Sequence, residues 1–196
     1  MSITILSPRK ILATLVVLLS LAIPTYANAG LLIEPYFGYI LSGDGEIDGS
    51  SDSYSGTNIG ARLGYTFLGL MGGLEYSLGS HELDTSGGLS MDTTDMSLFV
   101  GYELPILLRA WLSYSISSDG TLEYSGSSSD TELSGGGYTL GIGYTGFPFI
   151  SLNFEMFNRV YDDCSFTGVS NCKETILNNK DFTVDGYALS ISVPLP

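Results

Sequence analysis

The chain has 196 residues and a net charge of −14, from 21 acidic residues against seven basic ones. Its length fits a single domain, and its acidity argues against nucleic-acid binding, because the phosphate backbone attracts basic surfaces. Beyond the N-terminal region no segment approaches the roughly 18 consecutive apolar residues of a membrane-spanning helix.

The N-terminus has the pattern of a secretory signal peptide. Two basic residues precede an apolar run over residues 11–23, and an A-x-A cleavage motif ends at Ala29. A retained transmembrane helix is the alternative, but the run is short for a bilayer span and has no positively charged flank after it. We therefore expect residues 1–29 to be cleaved, which leaves one mature domain of residues 30–196 that is more acidic still.

After the signal, hydrophobic side chains alternate with small or polar ones in several separate runs. A period of two places successive side chains on opposite faces of a sheet, so each run predicts a β-strand. The clearest pair of runs flanks a very short turn at Leu68-Gly69-Leu70. In chain order the predicted strands cover residues 31–41, 59–67, 70–79, 96–104, 108–116, 138–145, 150–159 and 186–193.

The connections between these strands alternate in length. Strands of about ten residues, with short turns on one side and long loops on the other, are typical of outer-membrane barrels, in which the turns face the periplasm. The sequence therefore predicts an all-β, eight-stranded antiparallel up-and-down transmembrane barrel with four long extracellular loops. The turns lie at residues 68–70, 105–107 and 146–148, and the polar loops at residues 42–56, 81–95, 117–134 and 161–181.

The two faces of each predicted strand differ in character. One face is apolar, with aromatic side chains such as Tyr65, Phe67 and Phe149 near the short turns, where aromatic residues anchor barrels at the membrane interface. The other face carries glycine, hydroxyl groups and a few charges, which is too polar and too small for the core of a soluble barrel. We therefore expect the apolar face to contact lipid and the polar face to line the lumen.

This pattern resembles the small eight-stranded outer-membrane barrels of the OmpA/OmpX-like superfamily over the whole mature chain. The end of the last strand, at residues 186–191, is similar to the C-terminal signal of that superfamily, although the final residues 193–196 lack the usual terminal aromatic. The resemblance implies a monomer in a Gram-negative outer membrane, without a cofactor. Its implied partners are membrane lipids, lipopolysaccharide and, during insertion, the barrel assembly machinery.

Several charged residues fall on the inward face of the predicted strands. The lumen of an eight-stranded barrel barely accommodates side chains, so buried charges of opposite sign must pair there. A gated polar pathway with exchangeable ion pairs and a static interior plug are both compatible with this pattern, and bulky inward aromatic residues favour the plug. The residues concerned are Glu34, Arg62, Glu75, Glu103, Arg109, Glu155 and Arg159.

The first polar loop contains a weak candidate for a metal site. Asp44, Glu46 and Asp48, followed by Gly49, loosely match the start of a calcium-binding loop. Ser55 occupies the position at which such a loop needs a bidentate glutamate, and no flanking helices are predicted. We therefore expect no metal site, and an acidic, solvent-exposed loop tip that is free to contact an unidentified extracellular partner.

His81, between Ser80 and Glu82, is the only histidine. Some eight-stranded barrels are lipid A-modifying hydrolases that use a serine, a histidine and an acid, so an enzyme of this class is one alternative. Adjacent residues on an extended strand point in opposite directions, however, and a catalytic triad needs its base within hydrogen-bond reach of the nucleophile. We therefore predict a surface histidine and no enzymatic activity.

Cys164 and Cys172 are the only cysteines, and both lie in the fourth polar loop. An exported protein meets an oxidising compartment, which favours disulfide formation. Metal binding by two cysteines without a nearby histidine is the less favoured alternative. We therefore predict a structural disulfide that closes a short loop.

For function, these patterns predict a structural or surface-interaction role: membrane integrity, adhesion or recognition through the long acidic loops. A narrow pore for small solutes or ions is the main alternative, because the predicted lumen is polar. A lipid A-modifying hydrolase is less favoured than either. Loops carry no recognisable code for a ligand, so the sequence does not identify the surface partner.

Overall fold

Eight antiparallel strands form a closed barrel in which each strand pairs with its neighbours in sequence and β8 pairs with β1. This confirms the predicted eight-stranded up-and-down barrel. No helix in the described part of the chain is long and apolar enough to cross a membrane. The strands are β1 Gly30–Ile47, β2 Ser50–Phe67, β3 Leu70–Leu83, β4 Leu89–Leu104, β5 Leu108–Tyr124, β6 Thr131–Phe147, β7 Ile150–Phe166 and β8 Phe182–Ser192.

The barrel is seen in a computed structural model. The predicted signal peptide lies outside the residues that this structure describes, and so does Asp48 of the first predicted loop. The three tight turns define what we call the lower end of the barrel, and the opposite end is the upper end. The described residues are 30–47, 49–83, 89–124, 131–166, 172 and 180–195.

The strands extend well beyond their predicted upper ends. β1 reaches Ile47 and β2 starts at Ser50, so most of the predicted first loop is a paired hairpin. The other strands run past their predicted upper ends in the same way. The upper connections are therefore shorter than predicted, because the loss of outward hydrophobicity marks the edge of an apolar band and not the end of a strand.

An apolar belt surrounds the lower and middle parts of the barrel. The outward side chains there are exposed leucine, isoleucine, valine, methionine, phenylalanine and tyrosine residues, among them Leu63, Leu74 and Leu140. Above Ile59 on β2 the outward residues become polar, beginning with Thr57. A continuous exposed apolar band of this kind is a surface that faces the hydrocarbon layer of a membrane, as the sequence predicted.

The tight turns at the lower end contain unusual backbone conformations. Leu68, Leu107 and Phe149 occupy the left-handed region, with φ of 52°, 61° and 66°. This conformation costs an L-residue about 1 kcal/mol or more, and glycine or asparagine normally takes it. The lower end therefore holds backbone strain at three apolar residues.

Inward glycines make room for bulky side chains from neighbouring strands. A Cβ at Gly141 would overlap the Trp111 indole, so this close approach requires glycine. Trp111 belongs to a lower apolar cluster with Leu32, Met71 and Phe99. Side chains therefore fill the lower part of the lumen.

A second apolar cluster fills the barrel above the belt. Every strand contributes to it, and most of its members lie where the outward side chains are polar, while Ile40 and Ala188 lie at the upper edge of the belt. The arrangement of polar and apolar faces is therefore the reverse of that in the belt. The buried members of this upper cluster are Ile40, Tyr54, Leu83, Met91, Leu122, Leu133, Tyr161, Phe182, Val184 and Ala188.

Candidate functional site

The charged residues of the lumen form a layer at the height of the belt. Strand register places Glu34 opposite Arg62 and Arg62 opposite Glu75, so the sign of the charge alternates across β1, β2 and β3. Glu155 reaches the same layer from β7, across the barrel. All four residues are at most 6% exposed, so they compensate one another's charge without help from bulk water.

Arg62 is the centre of this charged layer. Its Nη2 lies 3.2 Å from Glu75 Oε1 and 3.3 Å from Glu155 Oε1. Its Nη1 donates a hydrogen bond of 3.4 Å to Glu34 Oε1. One cation thus holds three carboxylates, and its loss would leave those carboxylates without their shared partner in a buried site.

Neighbouring side chains enclose Arg62. The guanidinium lies 4.7 Å from the centre of the Tyr36 ring and 4.3 Å from that of Trp111, which are cation–π distances. The Ser113 hydroxyl donates a hydrogen bond of 2.5 Å to Glu75 Oε2. The layer is therefore packed as well as charge-paired, which is the arrangement that a plug requires.

Arg109 forms the lower edge of the charged layer. Its Nη1 donates a hydrogen bond of 2.8 Å to Glu34 Oε2. Its Nη2 donates to Glu34 Oε1 and, at 3.0 Å, to Asn153 Oδ1. This two-pronged contact with a carboxylate is among the strongest hydrogen-bond geometries in proteins. Glu103, a candidate for the same network, is only half-buried and makes no ion pair within the described residues.

A separate ion pair lies higher in the lumen. Arg159 Nε is 3.4 Å from Asp95 Oδ1, and the Ser118 hydroxyl also donates to this carboxylate. Asp95 falls in a predicted polar loop and was therefore not predicted as a lumen residue. Asp95 precedes the inward-facing Ser97 by two positions, so extending the strand period would have identified it.

His81 lies inside the barrel above the belt, and the prediction of a surface histidine was wrong because β3 continues past it. The residue is 5% exposed, its Nε2 lies 3.0 Å from Thr93 Oγ1, and its ring packs against Tyr54. Burial lowers the pKa of His81 to about 4, although the negative charges of Asp95 and Asp92 oppose this shift. The imidazole is therefore neutral at pH 7, and among the described residues no serine hydroxyl hydrogen-bonds to it.

A cavity of about 50 Å³ separates the charged layer from the upper cluster. Its walls include Glu75 and Glu155 of the charged layer, and Asp95, Arg159 and His81 nearer the upper cluster. A void of this size with polar walls has room for a few water molecules. The charged layer lies below this cavity and the upper cluster lies above it.

The outward face above the belt is an acidic collar. Within the described ranges Lys180 is the only exposed basic residue, because the arginines there all point into the lumen. No group of three or more potential metal ligands occurs among these residues, although the candidates Asp44 and Glu46 are both exposed on the collar. The exposed carboxylates are Asp44, Glu46, Glu82, Asp92, Asp119, Glu123, Glu132, Asp162, Asp163, Asp181 and Asp185.

Cys164 and Cys172 form the predicted disulfide, with a sequence separation of eight residues. Cys164 lies near the upper end of β7 and packs against the upper cluster. Cys172 is 4% exposed. The bond therefore ties Cys172 to the top of the barrel.

The fold is similar to solved eight-stranded barrels of bacterial outer membranes. Neisserial surface protein A is 12% identical, with 86% of this chain and 99% of that chain covered at a TM-score of 0.61. The attachment invasion locus protein Ail of Yersinia pestis is 14% identical, with 84% and 99% covered at a TM-score of 0.53. No protein-family model and no curated protein matches the sequence. The likeness therefore concerns the fold, which is that of the bacterial outer-membrane barrels.

Proposed function

We propose that this barrel is an integral protein of the bacterial outer membrane that keeps its lumen closed and contacts cationic partners through its acidic collar. The observation that carries the proposal is the separation of charge. The described arginines are all inside the barrel, while many carboxylates are exposed on the collar. Such a surface attracts cations and repels anions.

The filled lumen supports a role at the surface over a role in transport. Arg62 is enclosed by two aromatic rings and three carboxylates, and the upper cluster closes the barrel above the cavity. A narrow pore for small solutes or ions is the second candidate, because the cavity between these layers is polar. Enzymatic activity has less support, since His81 is buried beside Thr93 and no serine of the described residues hydrogen-bonds to its ring.

The collar also indicates the chemistry of the partner. Ail has been crystallised with sucrose octasulfate, a heparin analogue and a polyanion. The acidic collar of this chain would repel such a ligand, and contact with the phosphates of lipopolysaccharide would need bridging divalent cations. A basic protein or polyamine at the cell surface fits the collar better.

Conductance in a planar bilayer tests the closed lumen. The full chain is expressed, exported and purified from the membrane, and insertion is verified by protease protection. We expect no steady current steps from the inserted protein. Regular steps that change in size with Arg62→Ala would reject the closed lumen in favour of the pore.

Binding of polylysine and of sucrose octasulfate to the protein in nanodiscs tests the collar. We expect salt-sensitive binding of polylysine only, weakened in the triple variant Asp44→Asn, Glu46→Gln and Glu132→Gln. Glu103→Gln is the matched control, because it removes a carboxylate at the opposite end and should leave binding unchanged. Equal binding by both variants, or preference for the polyanion, would contradict the proposed partner.

A further inference from the structure

The lower end of the barrel is a rim of exposed apolar residues. Leu68, Ile106, Leu107 and Phe149 are 39%, 65%, 52% and 84% exposed in its three turns. Two prolines complete the second and third turns, and no charged residue occurs in any of the three. We call this set the lower rim: Leu68, Pro105, Ile106, Leu107, Pro148 and Phe149.

The backbone of the lower rim makes these apolar residues harder to explain as a surface in water. Turns that need positive φ normally use glycine, asparagine or aspartate, which adopt it easily and hydrogen-bond to water. Leu68, Leu107 and Phe149 instead combine positive φ with exposed apolar side chains. Strained positions persist where their surroundings stabilise them, and contact of these three exposed apolar side chains with an apolar environment would supply that stabilisation.

The height of the belt supplies a second, independent observation. On β2 the outward apolar residues run from Ile59 to Phe67. At about 3.3 Å per residue and a tilt of about 40° this stretch spans about 20 Å of membrane, whereas the apolar band of outer-membrane barrels is about 25 Å tall. Residues 70–78 on β3 and 96–104 on β4 give the same height, whereas residues 31–41 on β1 reach about 25 Å. The belt therefore falls short of the hydrocarbon layer on β2, β3 and β4, and the lower rim continues it without a polar break.

We propose that the lower rim is embedded in the inner leaflet of the membrane and that its partner is phospholipid. The rim completes the apolar height that β2, β3 and β4 lack, and lipid contact offsets the backbone strain of its turns. The collar carboxylates cannot enter hydrocarbon, so the rim and the collar together set the vertical position of the barrel. This inference rests on the proposed membrane location and goes beyond the proposed role of the collar.

Depth-dependent fluorescence quenching tests the lower rim. Phe149→Trp is compared with Leu140→Trp in the belt and Ser53→Trp on the collar. The wild type, whose only tryptophan is Trp111 inside the lumen, supplies the background for subtraction. Each full-length protein is purified from the membrane and reconstituted with phospholipids brominated either near the headgroup or near the chain end.

We expect bromines near the headgroup to quench Phe149→Trp strongly and aqueous acrylamide to quench it weakly. Leu140→Trp should respond to the deeper bromines, and Ser53→Trp to acrylamide alone. If Phe149→Trp behaves like Ser53→Trp while Leu140→Trp is quenched by lipid, the rim lies outside the membrane. The proposal for the rim is then rejected, while the membrane location of the barrel stands. If lipid quenches neither variant, the membrane location fails with it.

A second variant keeps the test valid if the strained turn does not tolerate tryptophan. Ile106 belongs to the same rim, is 65% exposed and has no positive φ. Ile106→Trp should give the same quenching profile as Phe149→Trp. Water-like emission from Ile106→Trp that acrylamide quenches and brominated lipid does not would overturn the assignment to lipid.

Discussion

The barrel is one continuous sheet whose two halves are built in opposite ways. In the belt the apolar side chains face outward and the charges face inward, whereas in the collar the carboxylates face outward and the apolar residues face inward. β6 shows both arrangements: Leu140 points outward and is 47% exposed, while Leu133 points inward and is 1% exposed. The strand geometry is the same in both places, so the surrounding medium decides which face is apolar.

Each half meets a different physical requirement. Charges in the belt cannot face hydrocarbon, so Arg62 and its carboxylates pair inside the barrel. Behind the collar, burial of apolar side chains away from water lowers the free energy of the folded protein. These side chains therefore form a core like that of a soluble protein. The cavity beside Asp95 and Arg159 lies where the two arrangements meet.

The largest effect is expected from breaking the charge balance of the belt. Arg62→Met leaves three buried carboxylates without their shared cation and should lower the free energy of unfolding by about 3–5 kcal/mol. Urea titration followed by circular dichroism measures the loss. Arg159→Met, whose ion pair is partly exposed, should cost less, and an equal or greater loss there would contradict the central position of Arg62.

The loss of stability on truncating a leucine in each half distinguishes a packed core from a surface in contact with lipid. Leu133→Ala removes packing from the upper cluster and should cost about 2–5 kcal/mol. Leu140→Ala should cost clearly less, because lipid chains fill the space that the side chain leaves. Urea midpoints of the two variants in the same lipid make the comparison, and similar values would argue against the reversal of faces.

A charge placed on the outward face should distinguish the media directly. Leu140→Arg should cost about 2–4 kcal/mol, because the charge meets hydrocarbon. Glu132→Arg, on the same face of the same strand but in the collar, should change stability by at most about 0.5 kcal/mol. Tolerance of arginine at Leu140 would contradict the membrane position of the belt.

Loss of the disulfide should affect the collar and leave the belt intact. The pair Cys164→Ala and Cys172→Ala opens a short loop and should cost about 2–3 kcal/mol in the chain-entropy model. Limited proteolysis should then cut the upper end of the barrel while the membrane-protected fragment persists. Cleavage within the belt would show that the two halves are not independent.

The smallest effect is expected in the pH dependence of stability, through His81 inside the upper half of the barrel. The unfolded chain protonates His81 near pH 6.5, and the folded chain only near pH 4. The contribution of this residue to stability is therefore complete above pH 6.5 and is lost as the pH falls towards 4, by about 1–2 kcal/mol between pH 7 and pH 5. His81→Gln should flatten this part of the stability profile, and an unchanged slope would assign it to other groups.

Much of the fold was predictable because β-structure has a local period. Alternation identified the eight strands, the outward belt and the inward position of Glu34, Arg62 and Glu155. The same signal was lost in the collar, because the outward residues there are no longer apolar and the predicted strands ended where the outward hydrophobicity ends. Asp95 and His81 were misplaced for this reason, although the inward period of two continues through both. Glu103 was counted with ion pairs that it does not join among the described residues.

The sequence by itself determined the number of strands, the face of each side chain in the belt and the overall acidity, since all of these follow from neighbours along the chain. Only the closed barrel decided which charges meet, because Arg62 and Glu155 are 93 residues apart and come together through closure of the sheet. Closure also buries His81 and assembles one apolar cluster from all eight strands. These contacts depend on distances across the lumen, for which a pattern along one strand holds no information.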